Sequence, residues 1–140
     1  MDEVSDFLAA ARRAESNPSE ENILAMVAGL SPFSPPGLEW GIELSSVAGS
    51  SYILEDGRLL LVRVSRDEFG PFMQTSVSQI GLESLPPQVL KSLADVKVFL
   101  GKVSSHLKLW LERAPKDHPK IDLIQRLVQA LEEDFLNQKI

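Results

Sequence analysis

The chain has 140 residues, a formal net charge of −6 and no cysteine. This length fits a single domain with a sizeable core, and the lack of cysteine excludes disulfides, thiolate nucleophiles and zinc–cysteine sites. An acidic chain repels phosphate backbones, which disfavours nucleic acid as a partner, and no apolar run approaches the ~20 residues of a membrane-spanning helix. The acidic start predicts no secretory signal, so we expect a cytoplasmic protein, although a cysteine-free chain would also suit a periplasm. The sequence has no recognisable cofactor or metal motif, so we expect neither group.

Residues 1–30 form a helical N-terminal segment in which the apolar pattern predicts two helices. The first helix carries apolar residues at helical spacing, namely Val4, Phe7, Leu8, Ala11 and Ala14. The stretch Asn17-Pro18-Ser19-Glu20 is typical of a helix start, with Asn17 at the N-cap and Glu20 three residues later. The second helix then presents Ile23, Leu24, Val27 and Leu30 on one side.

Residues 31–37, which we call the proline crossover, place three prolines beside an aromatic residue. This composition fits a linker, a proline-rich ligand for another protein, or a stiff connection between packed elements. We favour the connection, with Phe33 and Trp40 anchored in the core, because the segment lies between predicted core elements. If Phe33 is instead exposed, the sequence predicts a docking loop made of Pro32, Phe33, Pro35 and Pro36.

Residues 38–80 form the predicted sheet. Apolar residues alternate with polar ones from Leu38 through Trp40 and Ile42 to Leu44, which predicts a half-buried strand. Asp56-Gly57 predicts a hairpin with a two-residue turn, in which Glu55 pairs with Arg58. The register that follows makes both faces of the hairpin apolar at its centre, so we expect both faces to be covered. A turn at 67–71 leads to a more polar strand over 72–80.

Residues 86–138 form a helical C-terminal part. One long helix is predicted from Pro86-Pro87 to about Ala114, and a second from Pro119 to near Gln138. The long helix has a broad core face and also a second stripe of small and apolar residues. This stripe is either a set of isolated exposed residues or an interface with a partner or a second copy, and it consists of Ala94, Val98, Gly101, Ser105 and Leu109.

The element order α-α-β-β-β-β-α-α predicts one α+β domain over residues 1–140. Because the four strands follow one another with short connections, we expect an antiparallel four-stranded meander packed with helices.

Few residues carry recognisable chemistry. His106 lies on the polar flank of the long helix, and His118 follows Asp117 in the break before the last helix. These residues are the candidates for acid–base work or ligand binding, although neither histidine has the i, i+4 partner that is typical of a helical metal site. Lys91, Lys102 and Arg113 repeat every 11 residues, and a basic face on the long helix would be a nucleic-acid candidate.

The absence of catalytic motifs favours a protein whose surface is its function. The leading hypothesis is a non-catalytic protein–protein interaction module, such as an adaptor, a chaperone-like protein or an inhibitor. We expect it to self-associate as a homodimer through the sheet or the long helix, because a second copy could cover the second apolar face. The alternative is a small ligand-binding or acid–base enzyme domain that uses His106 and His118.

Overall fold

The computed structural model describes residues 2–66 and 73–136. Its helices are α1 (Glu3–Ser16), α2 (Glu20–Leu30), α3 (Pro87–Leu93), α4 (Val96–Arg113) and α5 (Ile121–Leu131). Its strands are β1 (Ile42–Val47), β2 (Ser50–Glu55), β3 (Arg58–Arg66) and β4 (Met73–Gln79). Short 3-10 turns cover Ser31–Phe33, Leu38–Trp40 and Leu82–Ser84, and a π-helical turn covers Glu132–Leu136.

The predicted fold class is confirmed. The strands form one antiparallel sheet in the order β1-β2-β3-β4, with helices before and after it in the chain. The predicted hairpin register is also confirmed, since Glu55 lies opposite Arg58 and every other pair follows from that one. Asp56 and Gly57 both have positive φ, as a type I′ turn requires. The predicted turn at 67–71 lies outside the described residues.

Two predicted boundaries near the N-terminal half are wrong by a few residues. The N-cap of α2 is Ser19 and not Asn17, because the Ser19 hydroxyl accepts the Asn22 backbone N–H at 3.2 Å. The first strand begins at Ile42, since Leu38–Trp40 forms a 3-10 turn. This turn follows Gly37, whose φ of 97° redirects the chain before the sheet begins.

The predicted long helix is two helices. The chain leaves helical geometry at Asp95, where ψ is 76°, so α3 ends at Leu93 and α4 begins at Val96. This break lets buried residues on both sides of it, Leu93 and Val96, turn into the same core. The last helix begins at Ile121 and not at Pro119, and its predicted end near Gln138 lies outside the described residues.

The main core lies between the helices and one face of the sheet. Helix α1 packs on α2, α4 and α5, while α3 and α4 pack on β1. On the sheet, Ile42 and Leu44 of β1 and Tyr52 and Leu54 of β2 belong to this core. The opposite face, which we call the outer face, carries Ile53, Leu60, Val62 and Val64.

The outer face is apolar over several strands, as the sequence indicates. Leu60 and Val62 are buried, but Val64 and Val77, the β4 residue opposite Val62, are among the exposed large hydrophobic residues of the described chain. Residues 75–79 are all exposed.

In the part of the chain that the structure describes, no helix is long and apolar enough to cross a membrane.

Candidate functional site

A groove of about 550 Å³ runs along β1 on the side of α4. Leu38 and Glu39 of the 3-10 turn and Ser92 and Leu93 at the end of α3 also line it. We call this feature the β1–α4 groove. Its lining combines the exposed edge of a strand with one face of a helix, and it includes Leu38, Glu39, Glu43, Ser46, Val98, Lys102 and His106.

Strand β1 is an edge strand, so one side of its backbone has no neighbouring strand. In an antiparallel pair, hydrogen-bonded and non-bonded residue pairs alternate. The Asp56-Gly57 turn makes Glu55 and Arg58 a bonded pair, so alternate residues of β2 starting from Glu55 bond to β3. The intervening residues bond to β1, and they are Ser50, Tyr52 and Leu54.

This alternation identifies the backbone groups of β1 that point into the groove. The residues of β1 opposite Ser50, Tyr52 and Leu54 are Val47, Ser45 and Ile42, and these bond back to β2. The peptide groups of Glu43 and Ser46 therefore point outward. Among the described residues, no backbone hydrogen bond from outside the sheet reaches them. They are free to bond to an added strand.

A bulge interrupts this edge. The register shifts between Glu43 and Ser45, so Leu44 is an extra residue on β1. Leu44 is buried in the core, while Glu43 is exposed on the outer face.

Two exposed apolar side chains flank the edge. Leu38 in the 3-10 turn is 41% exposed, and Val98 on the first turn of α4 is 53% exposed. Both line the groove, Leu38 from the turn that precedes β1 and Val98 from α4. Isolated exposed aliphatic residues need no explanation, but two that line one groove beside unpaired backbone indicate a surface built for contact.

Charged residues of both signs also line the groove. Glu39 and Glu43 are exposed on the strand side, and Lys102 is exposed on the helix side. The ion pairs of the described residues lie elsewhere and involve Asp2, Glu55, Asp56, Glu132 and Asp134 as the acids. The three groove charges are therefore available to a partner.

His106 fixes the shape of the groove. Its Nε2 atom lies 2.7 Å from the backbone oxygen of Trp40, a distance that fits an N–H donating to the carbonyl. The two rings also pack with centroids 6.0 Å apart. This contact ties α4 to the end of the 3-10 turn, so His106 has a positioning role that the sequence did not indicate.

The predicted stripe on the long helix is not one continuous surface. Ala94 lies in the break between α3 and α4, and both Ala94 and Gly101 are half-buried. Ser105 is exposed and Leu109 is 44% exposed, but only Val98 among the five lines the groove. The break also separates Lys91 on α3 from Lys102 and Arg113 on α4, so these three do not share one helical face.

The proline crossover is packed into the fold. Phe33 is fully buried, with its ring centroid 6.0 Å from that of Phe7, and Pro35 is buried beside it. Pro32 and Pro36 are half-buried. The docking-loop interpretation required an exposed Phe33, and this condition is not met.

Hydrogen bonds tie the crossover to the β2–β3 turn. The Glu55 carboxylate, only 5% exposed, accepts the Gly37 backbone N–H at 2.8 Å, and it also contacts the Arg58 guanidinium. The Ser34 hydroxyl accepts the Gly57 N–H at 2.8 Å. These bonds hold the segment that leads into Leu38, and so they position one side of the groove.

The two histidines do not form a shared site. His106 contacts Trp40, whereas His118 packs edge-on against Trp110 and accepts the Lys120 backbone N–H through Nδ1. Asp117 is exposed. Within residues 2–66 and 73–136, no group of three or more histidine, cysteine, aspartate or glutamate residues is arranged to hold a metal ion.

Comparisons with known proteins add no further assignment: no family model matches the chain, and neither the curated proteins nor the solved structures gave a match.

Proposed function

We propose that this protein is a non-catalytic protein-binding module that takes an extended segment of another protein as a fifth strand on β1. The observation that carries the proposal is the outward backbone of Glu43 and Ser46, in a groove that the exposed side chains of Leu38 and Val98 also line. Strand addition uses backbone hydrogen bonds for affinity and side-chain pockets for specificity. An adaptor, a chaperone-like protein or an inhibitor would each use such a site, and we propose the cytoplasm as its location.

The same geometry weighs against a small-ligand or acid–base enzyme. Such sites bring several free polar groups together in a concave pocket. Of the two candidate histidines only His106 lines the groove, and its Nε2 is already bonded to Trp40, while His118 lies against Trp110. An extended polypeptide uses the features that are available, which are a strand edge and two apolar rims.

The proposal is tested by blocking the strand edge. Ser46→Pro removes an outward N–H while leaving the bonds from β1 to β2 intact, because Ser46 is not in a bonded pair. Thr75→Pro is the matched control, since Thr75 occupies an outward position on β4, the opposite edge strand. Both variants should keep a cooperative thermal unfolding transition.

Random linear dodecapeptides displayed on phage provide the ligand set. We expect selected peptides to bind the parent protein and the Thr75→Pro variant and to lose binding to the Ser46→Pro variant. If no peptide is enriched, or if the enriched peptides bind the Ser46→Pro variant as well as the parent, strand addition on β1 is wrong.

The helix wall of the groove is tested by two matched substitutions on α4. Val98→Asp should weaken binding of the selected peptides by about tenfold, since burying a valine contributes ~1.5 kcal/mol or more. Leu109→Asp changes a similarly exposed aliphatic residue on the same helix, outside the groove lining, and should change affinity less than twofold. Equal effects of the two variants would mean that α4 does not contact the peptide through Val98.

Self-association is a second candidate, and the outer face is the feature that favours it. Val64 and Val77 are exposed there, and Val77 lies opposite Val62 in the β3–β4 ladder. A second copy that covered these residues would bury apolar surface that the described chain leaves open.

A further inference from the structure

We infer that the segment bound by the β1–α4 groove carries a basic residue directly opposite Glu43, with an apolar residue on each side of it. This inference rests on the proposed function and deepens it, because it states which polypeptide sequences the groove accepts. The recognised element is an extended triplet of the type apolar–basic–apolar.

The position of the basic residue follows from strand geometry. Because the Glu43 peptide group points outward, an added antiparallel strand forms a hydrogen-bonded residue pair there. The partner residue of such a pair has its side chain on the same face of the sheet as Glu43, about 5 Å away. Glu43 is exposed on that face and lies opposite the uncharged Ile53 on its other side. A lysine or arginine across from Glu43 therefore meets a carboxylate that has no competing cation.

The neighbours of that basic residue lie on the opposite face. Successive side chains of a strand alternate between faces, so the flanking residues point to the side on which Ile42 and Leu44 are buried and α4 packs. Val98 is exposed on that wall. Apolar side chains at the flanking positions would cover Val98 and extend the core that begins at β1.

A second copy of the chain does not offer this triplet through β1. If β1 of a second copy paired with β1, the residues brought across from Glu43 would come from Ile42–Val47, a segment with no basic residue. The β1 strand of such a dimer would bring no cation to Glu43. The charges favour a foreign segment over self-pairing at this edge.

Lys102 lies on the helix wall of the groove and does not change the preference for a basic residue opposite Glu43. Its ammonium group is exposed on α4 and faces the side of the added strand that carries the flanking residues. An acidic residue farther along that side would be tolerated there, but it would not replace the basic residue opposite Glu43. The two charges can therefore be tested separately.

Three synthetic heptapeptides test the inference. Each has capped termini, valine at the odd positions and serine at the second and sixth positions, and the central residue is lysine, glutamine or glutamate. Fluorescence anisotropy at low salt should rank the affinities as lysine, glutamine, glutamate. Each step should be about 1.5-fold to fivefold, the range of cross-strand charge pairs, and the differences should shrink at 1 M salt, where the Debye length is ~3 Å.

Two variants assign the preference to Glu43. In the Glu43→Lys variant the ranking should invert, so that the glutamate peptide binds best. In the Lys102→Gln variant, which removes a charge from the opposite wall, the lysine peptide should remain the best ligand. Both residues are exposed, so thermal unfolding should change little and will show that the fold is intact.

The outcomes separate the two proposals. If the three peptides bind equally and Ser46→Pro abolishes their binding, the charge rule is wrong while strand addition stands. A preference for lysine that persists in the Glu43→Lys variant also overturns the rule. If no heptapeptide and no displayed peptide binds in a Ser46→Pro-sensitive manner, both proposals fail. If the protein is a dimer that the Ser46→Pro substitution dissociates, a second copy occupies the groove, and the proposal of a foreign segment is wrong.

Discussion

Replacing Gly41 with alanine should destabilise the protein, because the backbone at this residue lies against β2. A Cβ added at Gly41 would overlap the Cγ2 atom of Ile53 and would lie 3.0 Å from the Leu54 backbone oxygen. The backbone of Gly41, with φ −61° and ψ 151°, is one that alanine adopts without strain, so the cost is steric alone.

The magnitude follows from two opposing terms. Overpacking of this kind costs typically 1–3 kcal/mol, and the reduced freedom of the unfolded chain returns about 0.4–1 kcal/mol when glycine becomes alanine. We therefore expect a net loss of about 1–2 kcal/mol. For a chain of this size the midpoint of thermal unfolding should fall by roughly 3–8 °C. The groove should also change, since Gly41 joins the Leu38–Trp40 turn to β1.

Urea and thermal unfolding followed by circular dichroism measure this loss. A double-mutant cycle with Ile53→Ala shows whether the clash is its cause, because removal of Cγ2 should recover part of the loss and give a coupling of at least ~0.5 kcal/mol. Gly29→Ala is the control, and it should raise the free energy of unfolding instead of lowering it. Its Cβ would lie 3.4 Å from the Phe7 ring, an ordinary contact, so this helical position should gain up to about 1 kcal/mol. Additive effects in the cycle, or an unchanged stability of the Gly41→Ala variant, would refute the steric argument.

Three further predictions concern the crossover and self-association. Glu55→Ala should cost about 2–3 kcal/mol in urea unfolding, since it leaves the Gly37 N–H without its charged acceptor; a loss below ~0.5 kcal/mol would contradict this. Phe33→Ala should cost about 3–5 kcal/mol because it opens a cavity in the core, and a small loss would mean that the crossover is not anchored there. If the protein is a dimer through α4, Val98→Asp or Leu109→Asp should lower the mass measured by analytical ultracentrifugation. A parent protein that remains monomeric at high concentration would remove self-association.

Local sequence patterns were sufficient to predict the antiparallel meander and the register of its β2–β3 hairpin. The register of the β2–β3 hairpin follows from Asp56-Gly57 because a two-residue turn fixes every pair beyond it. The same reasoning predicted two apolar faces. The pattern did not distinguish residues within the outer face, where Val62 is buried and Val64 is exposed.

The sequence could not predict the elements that depend on close packing. Leu38, Trp40, Ile42 and Leu44 alternate with polar residues throughout, yet only Ile42 and Leu44 lie in the strand. Gly41 allows the chain to approach β2 closely, and this approach is a property of the fold and not of the pattern. Likewise, helical periodicity continues through Asp95, although the helix breaks at that residue.

The groove could have been predicted in part, because the first strand of a meander is an edge strand. What could not be predicted is that α4 lies beside this edge, so Val98 was assigned to a helical stripe and Glu43 to solvent. The bulge at Leu44 affects how a partner segment contacts both Glu43 and Val98. A flat edge invites pairing with any chain, and bulges limit such pairing. On β1 the bulge separates the outward groups of Glu43 and Ser46 by one extra residue, so a segment that bonds to both must depart from regular strand spacing between them. This requirement, together with the side-chain contacts at Glu43 and Val98, makes the edge selective.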